Sequence, residues 1–238
     1  MHAPVVPATV GPGEPPRAVA EGAACYRLPV LERIELGEVD YEAALALQEH
    51  HRARVADGAQ DVLLLLSHPP TVTLGLHGKP ENIVSAGWLE SQGVRVVRTD
   101  RGGDVTWHGP GQLVGYPIVS LARRGLGVRR FVEALAEALQ AVLAARGVAS
   151  WWEPAAPGLW TAQGKLAAFG VRVRGGVTTH GFALNVSCDL QGFQAIVPCG
   201  LARPVTSLQA LGASTAPLEE PVHQAVEAAL FRLAARME

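Results

Sequence analysis

The sequence predicts an α+β fold in which a mixed β-sheet is flanked by helices. Strand-like segments outnumber helical ones, and several of these strands are joined by short turns. A doubly wound parallel fold would instead alternate strands and helices along the chain. The predicted fold is therefore a mixed sheet covered by helices, without an internal repeat.

The first predicted elements are a strand and a helix. The segment "CYRLPVLERIEL" has strand character, and Asp40 is well placed to cap a helix that runs to roughly Ala56. Gly58 then ends this helix. Its apolar face is predicted to include Ala44, Leu45, Leu47 and Val55.

The next predicted elements are strands. The segment "DVLLLLSHPPTVTLG" indicates a buried strand, a Pro-Pro turn and a second strand. The strand "GVRVVRTD" then leads into a glycine-rich stretch, "RGGDVTWHGPGQ", and "QLVGYPIVSL" continues as a strand.

The second half holds the clearest helix and the clearest hairpin. In "VRRFVEALAEALQAVLAARG" one face is apolar and Gly147 ends the helix; the apolar residues are Phe131, Leu135, Leu139, Val142 and Leu143. After "GVASWWE", the runs "KLAAFGVRVR" and "VTTHGFALNVS" are joined by Gly175 and Gly176, which predicts a hairpin. A final amphipathic helix is predicted from about Glu220 to Ala235.

Length and composition limit the classes of function. The 238 residues are 48% hydrophobic, which suits one domain, and the net charge of −2 disfavours a non-specific nucleic-acid binder. The longest apolar runs fall short of the roughly 20 residues that a membrane helix needs. Residues 1–24 are rich in Pro, Gly and Ala and lack the pattern of a secretory signal, so we expect a flexible tail followed by a single domain over 25–238.

The chain has three cysteines, Cys25, Cys188 and Cys199, and no closely spaced pair. This argues against a disulfide framework or a structural zinc site, so we expect no metal and a cytoplasmic location. Cys199 lies between Pro and Gly in "IVPCGL", as in a turn, whereas the other two lie in or beside strand-like segments. A small buried side chain and a reactive thiol remain equally open interpretations of Cys199.

A reactive cysteine needs a cationic neighbour, because the thiolate is the nucleophile. Of the twenty basic residues only Lys79 and Lys165 are lysines. Lys165 opens the first strand of the predicted hairpin, and a lysine can exchange a proton where an arginine cannot. It is the candidate partner of Cys199, and an ordinary exposed turn lysine is the alternative.

His108 and His180 are each followed by Gly, so a ligand can approach the backbone closely at both places. Each is as consistent with a structural histidine as with a catalytic one, and a Cys/His hydrolase stays open. The glycine-rich stretch lacks the phosphate-loop and dinucleotide patterns, and the β-prone "DVTWH" follows where a phosphate site would need a helix.

Three segments in order, "RGGDVTWHGPGQLVGYPI", "GKLAAFGVRVRGGVTTHGFALNV" and "IVPCGL" followed by "VTSL", closely resemble the LipB-type lipoyl(octanoyl) transferases. The likeness runs from about Leu63 to Leu208. It implies the α+β fold shared with biotin and lipoate protein ligases. It also implies an enzyme that moves an octanoyl group from acyl carrier protein to a lysine of a lipoyl domain.

By this resemblance Cys199 is the acyl-thioester nucleophile, and Lys165 lowers its pKa and assists proton transfer. The implied substrate contacts are Arg101, Gly102, Gly103, Asp104, Val105, Thr106, Trp107, His108, Ala168, Phe169, Gly170, Gly181, Phe182 and Ala183. The implied donor is octanoyl-acyl carrier protein. The implied acceptors are the lipoyl domains of 2-oxoacid dehydrogenases and the glycine cleavage H protein. No cofactor, nucleic acid or membrane is implied.

Two details depart from or extend this pattern. Position 104 varies in the family, and position 107 is more often Tyr than the Trp107 found here. Asp104 beside Arg101 can form an ion pair instead of contacting substrate. Because the implied protein partners are acidic, we expect a local basic patch that binds them. "ARRGLGVRRF" offers one, with a solvated helix start as the alternative; its residues are Arg123, Arg124, Arg129 and Arg130.

The nearest competing hypothesis is an ATP-dependent lipoate or biotin ligase on the same fold. Such an enzyme activates a free acid as an adenylate and needs no nucleophilic cysteine, so Cys199 and "HGPGQ" argue against it. Two further hypotheses stay open, a non-catalytic carrier-binding module and a thioesterase-like cysteine hydrolase.

Overall fold

The computed structural model describes residues 30–197 and 203–234. The predicted tail, residues 1–24, therefore lies outside the described residues, as do Cys25 and Cys199. Ten strands, five α-helices and one short 3-10 helix (Pro80–Asn82) are described. The strands and α-helices are β1 (Leu31–Glu38), α1 (Tyr41–Ala56), β2 (Asp61–Ser67), β3 (Thr71–Leu74), α2 (Ala86–Ser91), β4 (Arg95–Arg98), β5 (Val105–His108), β6 (Gln112–Ile118), α3 (Val128–Ala144), β7 (Trp151–Trp152), β8 (Gly158–Thr161), β9 (Gly164–Arg174), β10 (Val177–Asn185), α4 (Gln191–Gln194) and α5 (Glu219–Ala234).

The strands form two sheets, and the α+β prediction is confirmed. A mixed seven-stranded sheet has the order β1-β2-β6-β10-β9-β8-β7, in which only β1 and β2 are parallel. A three-stranded sheet has the order β4-β3-β5. The Pro-Pro turn after β2 thus sends the chain from the large sheet into the small one.

Helices cover both faces of the large sheet, which explains why β2 is apolar at nearly every position. Leu63 and Leu65 pack with α3 and α5, whereas Leu64 and its alternate neighbours pack with α1. Side chains alternate between the two faces of a strand, so a strand covered on both faces loses the polar alternation of a half-exposed one. Among the described residues, no helix combines the length and the apolar character that a membrane crossing requires.

The predicted positions of the helices are confirmed, but the predicted burial of their side chains is not confirmed at every residue. Asp40 caps α1 through its carboxylate, and all five predicted apolar residues of α3 are buried. The predicted apolar face of α1 is wrong in part: Gln48 and His51 are buried, while Leu45 and Leu47 are only half-buried. Gln48 lies against β10, where its side-chain oxygen accepts a hydrogen bond from the backbone N–H of His180 at 2.6 Å.

The hairpin prediction is confirmed. β9 and β10 pair antiparallel from Arg174 opposite Val177 to Ala167 opposite Leu184. Gly175 and Gly176 have φ of 57° and 77°, which is the left-handed conformation that a two-residue hairpin turn requires at both positions. Because β10 also pairs with β6, the hairpin lies beside the strand that ends the glycine-rich segment.

Candidate active site

One cavity gathers most of the predicted site residues. It lies against β5, β6, β9 and β10 and is closed at one side by Tyr41 of α1. The predicted residues that line it are Arg101, Gly103, Asp104, Val105, Thr106, His108, Lys165, Ala168, Phe169, Gly170, Gly181, Phe182 and Ala183.

Two predicted contacts do not line this cavity. Trp107 points to the opposite side of β5, where its ring packs against Phe193 with centroids 5.4 Å apart. Gly102 faces a neighbouring groove beside the start of α3, and a Cβ there would lie 3.1 Å from the carbonyl oxygen of Val171. Cys199 lies outside the described residues.

Lys165 is a buried cation of the cavity, with only 6% of the residue exposed. β8 and β9 pair Trp160 with Lys165, and the lysine Nζ lies 5.5 Å from the centroid of the Trp160 ring. The stem of the lysine crosses Gly158, where a Cβ would overlap its Cε. A glycine on β8 thus makes the room that this side chain occupies.

The two described flanks of residues 198–202 are tied to the same region. On one side the backbone N–H of Val197 donates to the carbonyl of Asn82 at 2.7 Å. On the other, the backbone of Lys165 donates to the carbonyl of Pro204 at 2.9 Å and accepts from Thr206 at 3.0 Å. Phe193 and Val205 line the cavity from the two flanks.

Arg101 fastens the glycine-rich loop to β3. Its guanidinium donates to the hydroxyl and carbonyl of Thr73 and to the carbonyls of Gly102 and Asp104, at 2.6 to 3.0 Å. The Asp104 carboxylate accepts from the backbone N–H groups of Lys79 and Val105 and from the Asn82 amide. The loop then continues as strand β5 and not as a helix, which leaves no helix N-terminus for a phosphate.

His108 is held neutral inside the protein. Burial, with the nearby His68 and Arg101, keeps the pKa of His108 well below its ordinary value. Its Nδ1 lies 3.1 Å from Gln112 Oε1, and the Gln112 amide nitrogen donates to Asn185 and to the carbonyl of Trp107. The glutamine oxygen is therefore the acceptor, which assigns the imidazole proton to Nδ1 of His108.

His180 occupies a strained backbone position on the cavity wall. Its φ of 56° is the one left-handed value among non-glycine residues of the described ranges, a conformation that costs energy outside glycine. Its Nε2 lies 2.9 Å from an oxygen of the Asp100 carboxylate. Burial lowers the pKa of His180, while Asp100 opposes this shift, so the imidazole and the carboxylate are coupled.

Several lining residues were not predicted from the sequence, namely Tyr41, Gln112, Val114, Tyr116, Ala167, Asn185, Phe193 and Val205. Tyr116 bonds His68 through its hydroxyl at 2.7 Å, and His68 Nδ1 bonds the carbonyl of Val39. The available signal was an amide side chain at one end of a strand, Gln112 at the start of β6 and Asn185 at the end of β10.

The candidate basic patch is not a free cationic surface. Arg124 is 3% exposed and its Nε lies 2.6 Å from the fully buried carboxylate of Asp61, which Arg123 also contacts at 2.8 Å. Arg129 pairs with Glu133 along α3, and Arg130 pairs with the carboxylates of the same helix. The prediction of a four-arginine docking surface is therefore wrong for Arg124, which is a buried structural residue.

The described thiol is unsuited to nucleophilic chemistry. Cys188 is buried, and burial raises the pKa of its thiol to about 12. A thiol with that pKa is almost entirely protonated at neutral pH. Within residues 30–197 and 203–234 no group of three or more His, Cys, Asp or Glu side chains is arranged to hold a metal ion.

Comparisons with known proteins point to one family. The lipoyl protein ligase A/B catalytic domain matches residues 40–230. An octanoyltransferase of Geobacter metallireducens is 50% identical over 186 residues, covering 77% of this chain and 84% of the relative. An octanoyltransferase of Geotalea uraniireducens is 49% identical over 179 residues, covering 74% and 81%.

Solved structures share the fold at low identity. Lipoate-protein ligase A bound with ATP superposes with a TM-score of 0.62 at 16% identity, covering 86% of this chain and 85% of that one. A bipartite lipoate protein ligase from Thermoplasma acidophilum gives a TM-score of 0.58 at 16% identity, covering 87% and 83%. At this identity the likeness establishes the fold alone.

Proposed function

The chain belongs to the lipoyl protein ligase A/B catalytic domain family, and we propose that it carries an octanoyl group to a protein lysine through a thioester on Cys199. It is an acyltransferase of protein lipoylation, like its octanoyltransferase relatives. The observation that supports the covalent step is Lys165, a buried ammonium at one end of the cavity. Its backbone is bonded to the chain that follows Cys199.

In the first step the Cys199 thiolate attacks the carbonyl carbon of the donor thioester. The carrier sulfur leaves and takes the proton of the Lys165 ammonium, so a new thioester forms on Cys199 and Lys165 becomes a neutral amine. A nearby ammonium favours the thiolate over the thiol, and a pKa lowered by two units corresponds to about 2.7 kcal/mol. Lys165 supplies this charge and moves the proton, a role for which arginine is unsuited.

In the second step the neutral amine of the acceptor lysine attacks the Cys199 thioester. An amide forms, the cysteine sulfur leaves as a thiolate, and the amine proton passes to Lys165. One thioester is exchanged for another before the amide forms, so the acyl group stays activated and ATP is not needed. The donor is octanoyl-acyl carrier protein. The acceptors are lipoyl domains of 2-oxoacid dehydrogenases and the glycine cleavage H protein, and the reaction takes place in the cytoplasm.

The acyl chain is accommodated along β9 and β10. The cavity wall from Lys165 to Gly170 covers five residue steps of β9, or roughly 17 Å at 3.4 Å per residue. Small residues make up much of this wall, including Ala168, Gly170, Gly181 and Ala183. The thioester carbon lies at the Lys165 end, and the alkyl chain extends towards Gly181.

The ligase alternative is less well supported. The ligases share the fold at 16% identity, whereas octanoyltransferases are about half identical to this chain. The glycine-rich loop is occupied by the Arg101 hydrogen bonds and runs into a strand. A phosphate-binding function therefore has no support in the loop geometry.

The deciding experiment supplies the protein with octanoyl-acyl carrier protein and an apo lipoyl domain, without ATP. Octanoylation of the lipoyl-domain lysine, read by intact-mass spectrometry, is the expected result. A hydrolase would release free octanoate whether or not the lipoyl domain is present. A ligase would modify the lysine only from free octanoate and ATP, and a binding module would leave both proteins unchanged.

A further inference from the structure

Trp160 carries two cations on its indole ring. Lys165 Nζ lies 5.5 Å from the ring centroid, and the guanidinium carbon of Arg203 lies 3.7 Å from it. Both distances are within the range of cation–π attraction. The ring thus joins the proposed proton-transfer residue to a residue at the described end of the segment that holds Cys199.

The orientation of the Trp160 ring is fixed by burial and by a hydrogen bond. Trp160 is 4% exposed, and its Nε1 donates to the carbonyl of Ala156 at 3.0 Å. The pairing of β8 with β9 is irregular between Leu159 and Trp160, and the shifted register places Trp160 opposite Lys165. The indole therefore presents a fixed face to a side chain that otherwise has many rotamers.

Arg203 connects this platform to the following backbone. It is exposed, and the next residues form the bridge between Val205 and Lys165, with Pro204 and Thr206 bonded to the lysine backbone. The Asn185 amide also donates to the carbonyl of Thr206 at 2.9 Å. The backbone of residues 203–206 is therefore held by hydrogen bonds to Lys165 and Asn185, and the Arg203 side chain is held by its contact with the Trp160 ring.

We infer that Trp160 is a positioning residue for the transfer reaction: with Arg203 clamped on its ring, it fixes the ammonium of Lys165 relative to the chain segment carrying the nucleophile. This inference rests on the proposed function, because it takes Lys165 as the proton-transfer group. Catalysis is sensitive to such placement, since a displacement of about 1 Å can cost on the order of 100-fold in rate.

The test compares three variants at Trp160 and Trp88. Trp160→Leu removes the aromatic face, Trp160→Phe keeps one, and Trp88→Leu removes a partly exposed tryptophan of α2, outside the cavity, as a matched control. The measurements are the single-turnover rate of octanoyl transfer from the carrier to Cys199 and the pH dependence of Cys199 alkylation by iodoacetamide. A purely structural role would leave that pH dependence unchanged in folded protein.

We expect Trp160→Leu to slow acylation about tenfold and to move the alkylation profile to higher pH. Trp160→Phe should stay within about threefold of the unmodified protein, and Trp88→Leu should match it. Unchanged rate and pH profile in folded Trp160→Leu would overturn the inference. If the unmodified protein forms no Cys199 adduct at all, the proposed function fails first, which separates the two outcomes.

Because Trp160 is buried, Trp160→Leu can itself destabilise the fold. Arg203→Met therefore provides an independent test. Arg203 is exposed, so the melting temperature is expected to stay within about 2 °C. Acylation should slow by about threefold, with the same direction of shift in the alkylation profile. Arg203→Lys should restore most of the rate. Equal acylation rates in Arg203→Met and the unmodified protein would contradict a role for the contact between Arg203 and the Trp160 ring.

Discussion

The two ends of the cavity differ in the side chains that form them. At one end Lys165 is a buried cation whose surroundings are an indole face and the backbone of residues 204–206. At the other, Tyr41, His68, His108 and Tyr116 pack ring against ring with centroids 4.9 to 5.9 Å apart. The first end holds the cation to which the proposed mechanism assigns proton transfer, and the second is rich in polar groups that bond one another.

This difference shows how a cavity with many histidines and tyrosines can still suit an alkyl chain. His68 and His108 each use both ring nitrogens in contacts within the protein, and the pKa of each is lowered by burial. The neutral ring of His108 therefore presents a carbon-rich face to the cavity, and the His68 ring packs beside it with the centroids 5.6 Å apart. The proposed division is chemistry at the lysine end and binding of the acyl chain at the histidine-tyrosine end.

The largest effect is expected from Lys165→Arg. This change keeps a cation but prevents proton exchange, so octanoyl transfer should fall on the order of 1000-fold while the fold is retained. Single-turnover transfer assays and thermal melting measure the two properties. Lys79→Arg is the matched control, since Lys79 is exposed and is the only other lysine. Near-normal transfer by Lys165→Arg would show that a fixed charge is sufficient.

A smaller effect is expected from filling the wall between the two ends. Ala168 lies on β9 opposite Ala183, and both line the cavity. Ala168→Leu should reduce kcat/KM for the octanoyl donor by about 30-fold, an energy of about 2 kcal/mol, because the larger side chain occupies the path of the alkyl chain. Butanoyl transfer should be affected much less.

The control for Ala168→Leu is Ala162→Leu in the exposed turn between β8 and β9. It should leave both donors unaffected. Equal losses for the butanoyl and octanoyl donors in Ala168→Leu would mean that the chain does not pass this residue.

Acid should destabilise the histidine-tyrosine end. The folded-state pKa of His108 lies well below the value of 6.5 that the unfolded chain retains. Below pH 6.5 the unfolded chain therefore binds a proton that the folded protein resists, and the free energy of unfolding decreases as the pH falls. Urea titrations at pH 7.5 and 5.5 should show this decrease in the unmodified protein and a smaller one in His108→Gln. An identical decrease in both would rule out His108 as a source.

The smallest effect is expected from Tyr116→Phe. The change removes the hydroxyl that bonds His68 at 2.7 Å, at a cost of about 1 kcal/mol in stability. Because the proposed mechanism moves no proton at this end, kcat should change less than twofold and KM by no more than about threefold. A loss in kcat comparable with that of Lys165→Arg would remove the distinction between the two ends.

Much of the fold was predictable because its physical signals are local. A few adjacent residues were enough to predict three elements: the continuous apolar run of β2, the glycine pair of the hairpin and the aspartate cap of α1. The burial of Gln48 and of Arg124 was not predictable in this way. Each is buried because of a partner far away in sequence, the backbone of His180 and the carboxylate of Asp61.

The site was predictable where a resemblance covered it and less so where side-chain direction mattered. Alternation along β5 directs Thr106 and His108 to the cavity and Trp107 away from it, although all three lie in one motif. Tyr41 and Trp160 come from elements outside the family-like motifs or without a distinctive pattern. Only the packing of α1 and of β8 against the hairpin brings them to the cavity wall or to Lys165.

The thioester on Cys199 is tested most directly by the intact mass of the protein after incubation with octanoyl-acyl carrier protein alone. We expect one octanoyl adduct, located on Cys199 by peptide mapping, absent in Cys199→Ala and retained in Cys188→Ala. An octanoyl adduct of unchanged yield in Cys199→Ala, or no adduct on the unmodified protein while the lipoyl domain is still octanoylated, would contradict the proposed covalent mechanism.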